Sequence, residues 1–340
     1  VAPAPGDDYE NFEIFERVID NDQRSYTLGA SWRRLISGGF LTTTLSHSTS
    51  DYDFKDPGAD GFPVLSNESL ENDSRLSGRA DLALGDRLTF DGGVDVTQTS
   101  LDVALFQRAV PGGSLPTDLA WNRRTSLWKV AAYAQFTGDV WSRTSLSVGA
   151  RADEVTALDR GLSVSPRGSL KVQVTNDVSL QIAAGVFHQS PSLLSLSVEE
   201  AGRPANLGLR QQRNVQAAGG VSWVATPGLR VSAEAFVKEY DRVPLLRDDP
   251  RIALSNLGGD YGFVGAEPLT DEGTGRARGM ELLVQQKLLQ KVYLLGAYTL
   301  SWSEFAGLDG VLRASAWDRR HAMDLTAGLR PSGSWEFGTK

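Results

Sequence analysis

The chain has 340 residues, no cysteine, three histidines and a formal net charge of −8. Those counts exclude disulfide scaffolds, cysteine–zinc clusters and thiol nucleophiles, make a histidine-rich metal site unpromising, and argue against nucleic acid as the main partner. Hydrophobic residues are 41% and charged residues 22% of the chain, so composition does not point to disorder.

The apolar runs are far shorter than the roughly 18 residues that a membrane helix needs. The chain is therefore either soluble or crosses a membrane as a barrel, whose signal is alternation. The opening VAPAPGDDYENFE has neither the basic start nor the apolar stretch of a signal peptide. A mature protein and a fragment would both read this way.

Period-two alternation runs along almost the whole chain. It predicts strands over 24–36, 40–52, 74–84, 87–97, 125–137, 143–153 and 162–175. Further strands are predicted over 178–188, 213–224, 229–238, 277–288, 292–303 and 319–330, and a fourteenth opens at 334. Early in the chain, Leu88, Phe90, Val94 and Val96 alternate with Thr89, Asp91, Asp95 and Thr97. Mid-chain, Leu146, Val148 and Ala150 alternate with Ser145, Ser147 and Arg151; later, Val231, Ala233 and Val237 alternate with Ser232, Glu234 and Lys238. Successive strand side chains point to opposite faces, so each segment has one apolar and one polar face.

The breaks have a rhythm. Short turns are predicted at Ser37-Gly38-Gly39, Gly85-Asp86, Gly138-Asp139, Asn176-Asp177, Thr226-Pro227-Gly228, Leu289-Gln290 and Pro331-Ser332-Gly333. Between them fall long polar connections over 53–69, 106–123, 154–161, 189–212, 241–275 and 304–318. Strict alternation of short and long is the pattern of an antiparallel meander barrel with turns at one rim and loops at the other. Trp32, Phe90, Phe136, Trp223 and Trp335 lie near short turns, and Trp128 and Trp302 near long loops, all on the apolar register. Two aromatic girdles of a transmembrane barrel would give this placement, whereas ordinary strand-end packing would need a second core on a face that is heavily charged.

The charges then choose the inside. Arg79, Asp81, Arg151, Asp153, Glu234, Lys238, Glu281, Arg320 and Asp324 fall on the polar register. A charge facing lipid at mid-bilayer costs roughly 2–4 kcal/mol, so these nine are expected to line a lumen. A soluble barrel with the opposite arrangement would have an interior too wide for its Gly, Ala, Val and Leu to fill.

Several stretches then carry a family resemblance. GRARGMELL from Gly275, GAYTLSWS from Gly296 and YGFVGAEPL from Tyr261 look like the barrel of TonB-dependent outer-membrane receptors. So do WDRRH from Trp317, WEFG from Trp335, and the order of Ser165-Pro166-Arg167, Asn176-Asp177 and Gln189-Ser190-Pro191. The resemblance covers 160–340 by motif and the earlier part by rhythm. It implies a bacterial outer-membrane receptor and transporter that binds a scarce small solute and imports it with energy from the TonB complex, delivered through a plug domain. Such a barrel has about 22 strands and a plugged lumen. This chain presents about fourteen, no recognisable plug or TonB box, and an end inside a strand. The expectation is one barrel segment over 1–340, lacking strands at both ends and either open or closed artificially between its first and last strands. As such, it is not expected to transport on its own.

Outer-membrane lipid is the other expected partner, and no cofactor, metal or catalytic residue is expected. A passive channel or adhesin-type barrel is the alternative; a hydrolase barrel would need a Ser/His/acid cluster at the loop rim, and none is visible. No phosphate loop, dinucleotide fingerprint or nucleophile elbow occurs. His188 and His321 fall on the lipid-facing register near strand ends. The run from Asp51 to Asp56 fails the calcium-loop template because Lys55 takes the third ligand place and no glycine follows.

Overall fold

A computed structural model describes residues 20–57, 63–109, 118–257, 265–289 and 291–339. The fold is an all-β antiparallel meander, as the alternation predicts. Its first strands are β1 (Asp20–Ile36), β2 (Gly39–Pro57), β3 (Pro63–Ala83), β4 (Leu88–Gln107) and β5 (Leu119–Trp141). Next come β6 (Thr144–Val155), β7 (Ser163–Gln173) and β8 (Val178–Gln189). A four-residue helix α1 (Leu193–Leu196) and a small hairpin of β9 (Glu199–Glu200) and β10 (Arg203–Pro204) interrupt the series. It resumes with β11 (Gln212–Thr226), β12 (Leu229–Leu246), β13 (Leu269–Leu289) and β14 (Val292–Ala306). A short β15 (Arg313–Ala314) pairs with β14, and β16 (His321–Ser332) and β17 (Trp335–Thr339) follow. Hydrogen bonding joins the long strands in chain order, β1 to β8, then β11 to β14, β16 and β17.

Hydrogen-bonded rows show how the sequence dictates the faces. One row reads Thr144, Val172, Leu180, Val221, Ala233, Leu282, Tyr298 and Met323 across eight strands. The adjacent row reads Ser145, Lys171, Gln181, Gly220, Glu234, Glu281, Thr299 and Ala322. The apolar face is not covered: Val148 is 49% exposed and Leu282 43% exposed. Between β6 and β14 the inner strands pair on both sides, so their backbone N–H and C=O groups find partners in the ladder, as a strand in hydrocarbon requires, where each unpaired group costs several kcal/mol.

Two predictions about boundaries need correction. The stretches 53–57, 63–69, 106–107, 119–123, 241–246, 269–275 and 304–306, expected within loops, are strand. The two-face alternation gives way there to a different environment, in which Phe54, Leu65, Val243 and Leu245 are buried, yet cross-strand pairing continues, with Lys55 bridging Glu68 at 3.0 Å. The turn expected at Gly138-Asp139 instead falls at 142–143. Asp139 N–H still donates to Arg87 C=O at 3.0 Å, so the start of β4 holds β5 in the ladder for three more residues. Of the Leu289-Gln290 turn, Gln290 lies outside the described residues, as does the start of YGFVGAEPL, though Leu289 and Val292 are ladder partners. At the first turn, Gly38 has φ +83°, a conformation that costs a Cβ-bearing residue strain.

The chain divides into two compact units. The first comprises Val1–Trp32, Thr43–Ser77 and Asp95–Lys129. Among its described residues Leu101, Val103, Leu105 and Leu127 are buried, and Arg75 bridges Asp95 at 2.5 Å. The second comprises Arg33–Thr42, Gly78–Val94 and Val130–Lys340. Its dry packing lies in the long connections and strand extensions: Val243, Leu245, Ala253 and Phe305 form one buried cluster, with Tyr240 against it.

Candidate functional site

Ladder geometry brings Glu234, Lys238, Glu281 and Asp324, four of the nine predicted polar residues, onto a shared register. Glu234 and Glu281 are direct ladder partners. With Lys238, Gln181, Gln216 and Arg167 they line a concavity of about 460 Å³. Phe236 stands in the same wall against Gly279, where an added Cβ would come within 2.8 Å of the ring, and Lys238 Nζ sits 5.2 Å from the ring centroid. Asp324 pairs with Ala297, itself opposite Leu283 on this register.

The remaining predicted residues form separate ion pairs. Arg79 bridges Asp81 at 2.9 Å and also Asp91. Arg151 Nε donates to both Asp153 oxygens, at 2.8 and 3.0 Å. Arg320 is placed elsewhere. It precedes β16, so strand alternation does not govern it, and its guanidinium lies 4.7 Å from the Trp302 ring on the register of Met280 and Leu282.

His321 keeps its apolar register, with Nδ1 2.8 Å from Tyr298 Oη. His188 sits in a polar neighbourhood instead of at a lipid interface, 3.0 Å from Ser165 Oγ and opposite Arg213. The Asp51–Asp56 run is strand, with Lys55 paired to Asp53 and Glu68. Among the described residues no cluster of three or more carboxylate or histidine groups is arranged to hold a metal.

The outer connections contain residues the sequence did not single out. Asn206 is 1% exposed. Its Nδ2 donates to Ser195 C=O at 2.8 Å and Glu267 C=O at 3.0 Å, while its Oδ1 accepts from Leu269 N–H at 2.9 Å. Two connections are thereby tied together over buried Leu193, Leu196, Val198, Leu209 and Ala266. Arg210 and Asp271 bridge the same two segments at 2.8 Å, and Arg247 bridges Glu200 at 2.5 Å. Burial pushes the Glu267 carboxyl above its ordinary range. Asp309 goes the other way: the Arg313 fork and the Val311 N–H lower it to about 2. No period or motif marks Asn206, Arg210, Asp271, Glu200 or Arg247, because their partners are distant in sequence.

A family model described as TonB dependent receptor-like, beta-barrel matches residues 2–337. No curated protein matches the sequence. Solved structures share the fold. A mutant of the ferric enterobactin receptor PfeA of Pseudomonas aeruginosa is 16% identical with a TM-score of 0.63, over 92% of this chain and 55% of that one. The alcaligin outer membrane receptor FauA of Bordetella pertussis is 14% identical with a TM-score of 0.62, over 93% and 52%. The FrpB iron transporter of Neisseria meningitidis is 12% identical with a TM-score of 0.66, over 94% and 50%. The chain thus spans about half the length of the structures it matches.

Proposed function

The chain belongs to the TonB-dependent receptor family of outer-membrane β-barrels, and from that premise we propose that it supplies the lumen wall and outer-loop surface of a receptor that imports a scarce small solute with energy delivered by TonB. The observation that carries the reading is the pair of adjacent rows, one apolar and exposed, the other bearing Lys171, Gln181, Glu234 and Glu281. Lipid contacts the first, since charge there is unfavourable by kilocalories. Water, solute and a plug meet the second. In this reading Arg79, Asp81, Arg151, Asp153, Glu234, Lys238, Glu281 and Asp324 line the lumen, and the connections tied by Asn206 form part of the outer binding surface. The role is transport, with no catalysed reaction.

Iron chelates are the first solutes to test, since neighbours of the same fold bear the names of ferric enterobactin and alcaligin receptors. The parent receptor is expressed in cells lacking their own ferric-chelate receptors, and uptake of a panel of radiolabelled chelates is followed with and without TonB. Uptake that disappears without TonB is the expected result. Uptake that persists without TonB identifies a passive channel and overturns the proposal.

A further inference from the structure

Arg278 stands where the outward face of β13 stops being apolar. The same face next presents Met280, Leu282 and Val284, and Arg278 itself has Val237 and Trp302 as ladder partners. Met280, Leu282, Val237 and Met323 are all exposed, so this face has the character of a lipid-facing surface. The Arg278 guanidinium lies 5.7 Å from the Trp302 ring centroid and that of Arg320 4.7 Å from the same ring. Asp318 holds Arg320 at 3.1 Å and also accepts Ser303 N–H at 2.9 Å, which anchors this carboxylate to β14. One row further out, Glu304 is engaged by Arg276 at 3.0 Å, and Glu239 faces Arg276 across the ladder. Glu304 and Asp318 thus already serve neighbouring arginines, and Arg278 projects from the exposed surface.

Two guanidinium groups gathered on one indole present N–H donors at a fixed place, and a guanidinium fork matches a phosphoryl group bidentately. Tryptophan favours the level at which lipid changes from chain to headgroup. We propose that Arg278, Trp302 and Arg320 form an outward-facing site for the phosphate of a lipid headgroup, with the acyl chains lying along Met280, Leu282 and Met323. The source is a lipid and not a free anion because the site opens onto an apolar face.

The test uses the parent receptor purified in detergent, with bound lipid counted by native mass spectrometry. The probes are diphosphorylated lipid A, the same lipid stripped of its phosphates, and inorganic phosphate as competitor. The unmodified receptor is expected to favour the phosphorylated lipid by about tenfold, and Arg278→Gln/Arg320→Gln to lose that preference. Heat-modifiable gel migration checks that each variant is folded; if the double variant is not, the exposed Arg278→Gln alone is used and is expected to lose at least half of the preference. Equal affinity for the two lipids, or a preference unchanged in the variant, overturns the proposal. Full displacement by millimolar phosphate also overturns it, since the site would then serve a free anion.

Discussion

Asn206 ties two connections of the second unit together, and the Glu267 carboxyl is buried beside that tie, accepting Gly265 N–H at 3.2 Å. Asn206→Ala leaves two carbonyls and the Leu269 N–H without their buried partner. The expected cost is about 1–3 kcal/mol, confined to the connections, read as protease cleavage within 190–211 accelerated roughly tenfold or more while the strands stay intact. Glu267 gives a pH dependence. Its folded pKa is raised by burial, so its contribution is complete below the unfolded value near 4.5 and is lost as pH rises through the folded value. Exchange of the Leu269 amide, corrected for intrinsic rate, should therefore show more opening at pH 7.5 than at pH 5, and Glu267→Gln should remove the difference. Asp309, lowered to about 2, stays ionised across that window and does not interfere. Neither Asn206 nor Glu267 was legible in the sequence: Asn206 acts through backbone groups in a different connection, and the burial of Glu267 comes from packing that no local pattern records. Arg320 was misread for a related reason. Parity assigns a face only inside a strand, and β16 begins one residue later.

Strands were legible because solvent acts on every second residue. Where lipid meets one face and water the other, alternation is enforced, and the cores of the long strands were predicted there. Along β2 and β3 beyond residues 52 and 74, where Phe54 and Leu65 are buried, the ladder continues without a two-face pattern to mark it. The β5 turn was misplaced because Gly138-Asp139 has the composition of a turn, while its position opposite Arg87 keeps it in the ladder. The two registers make a substitution pair diagnostic. Val148→Arg puts a charge on the exposed apolar face and should destabilise the chain by roughly 2–4 kcal/mol in lipid vesicles. Ser147→Arg, one residue away on the polar face, loses the hydroxyl bond to Thr137 and should cost only about 0.5–1.5 kcal/mol. Urea unfolding of both variants in vesicles measures the difference, and equal costs would remove the argument for two solvents.

At the scale of the molecule, the account rests on one face meeting lipid and the other meeting water. The family and the neighbouring structures give the fold and its outer-membrane setting, and the rows give the assignment of residues to faces. Because the chain has no cysteine, single cysteines can be introduced on a clean background. The most direct measurement spin-labels consecutive positions 145 to 149 and 279 to 283, one at a time, in the chain folded into bilayers. Relaxation by lipid-soluble oxygen is compared with relaxation by a water-soluble nickel complex. The account predicts a period of two, with oxygen dominant at 146, 148, 280 and 282 and nickel dominant at 145, 147, 149, 279, 281 and 283. A uniform profile, or one with the two phases exchanged, would contradict it.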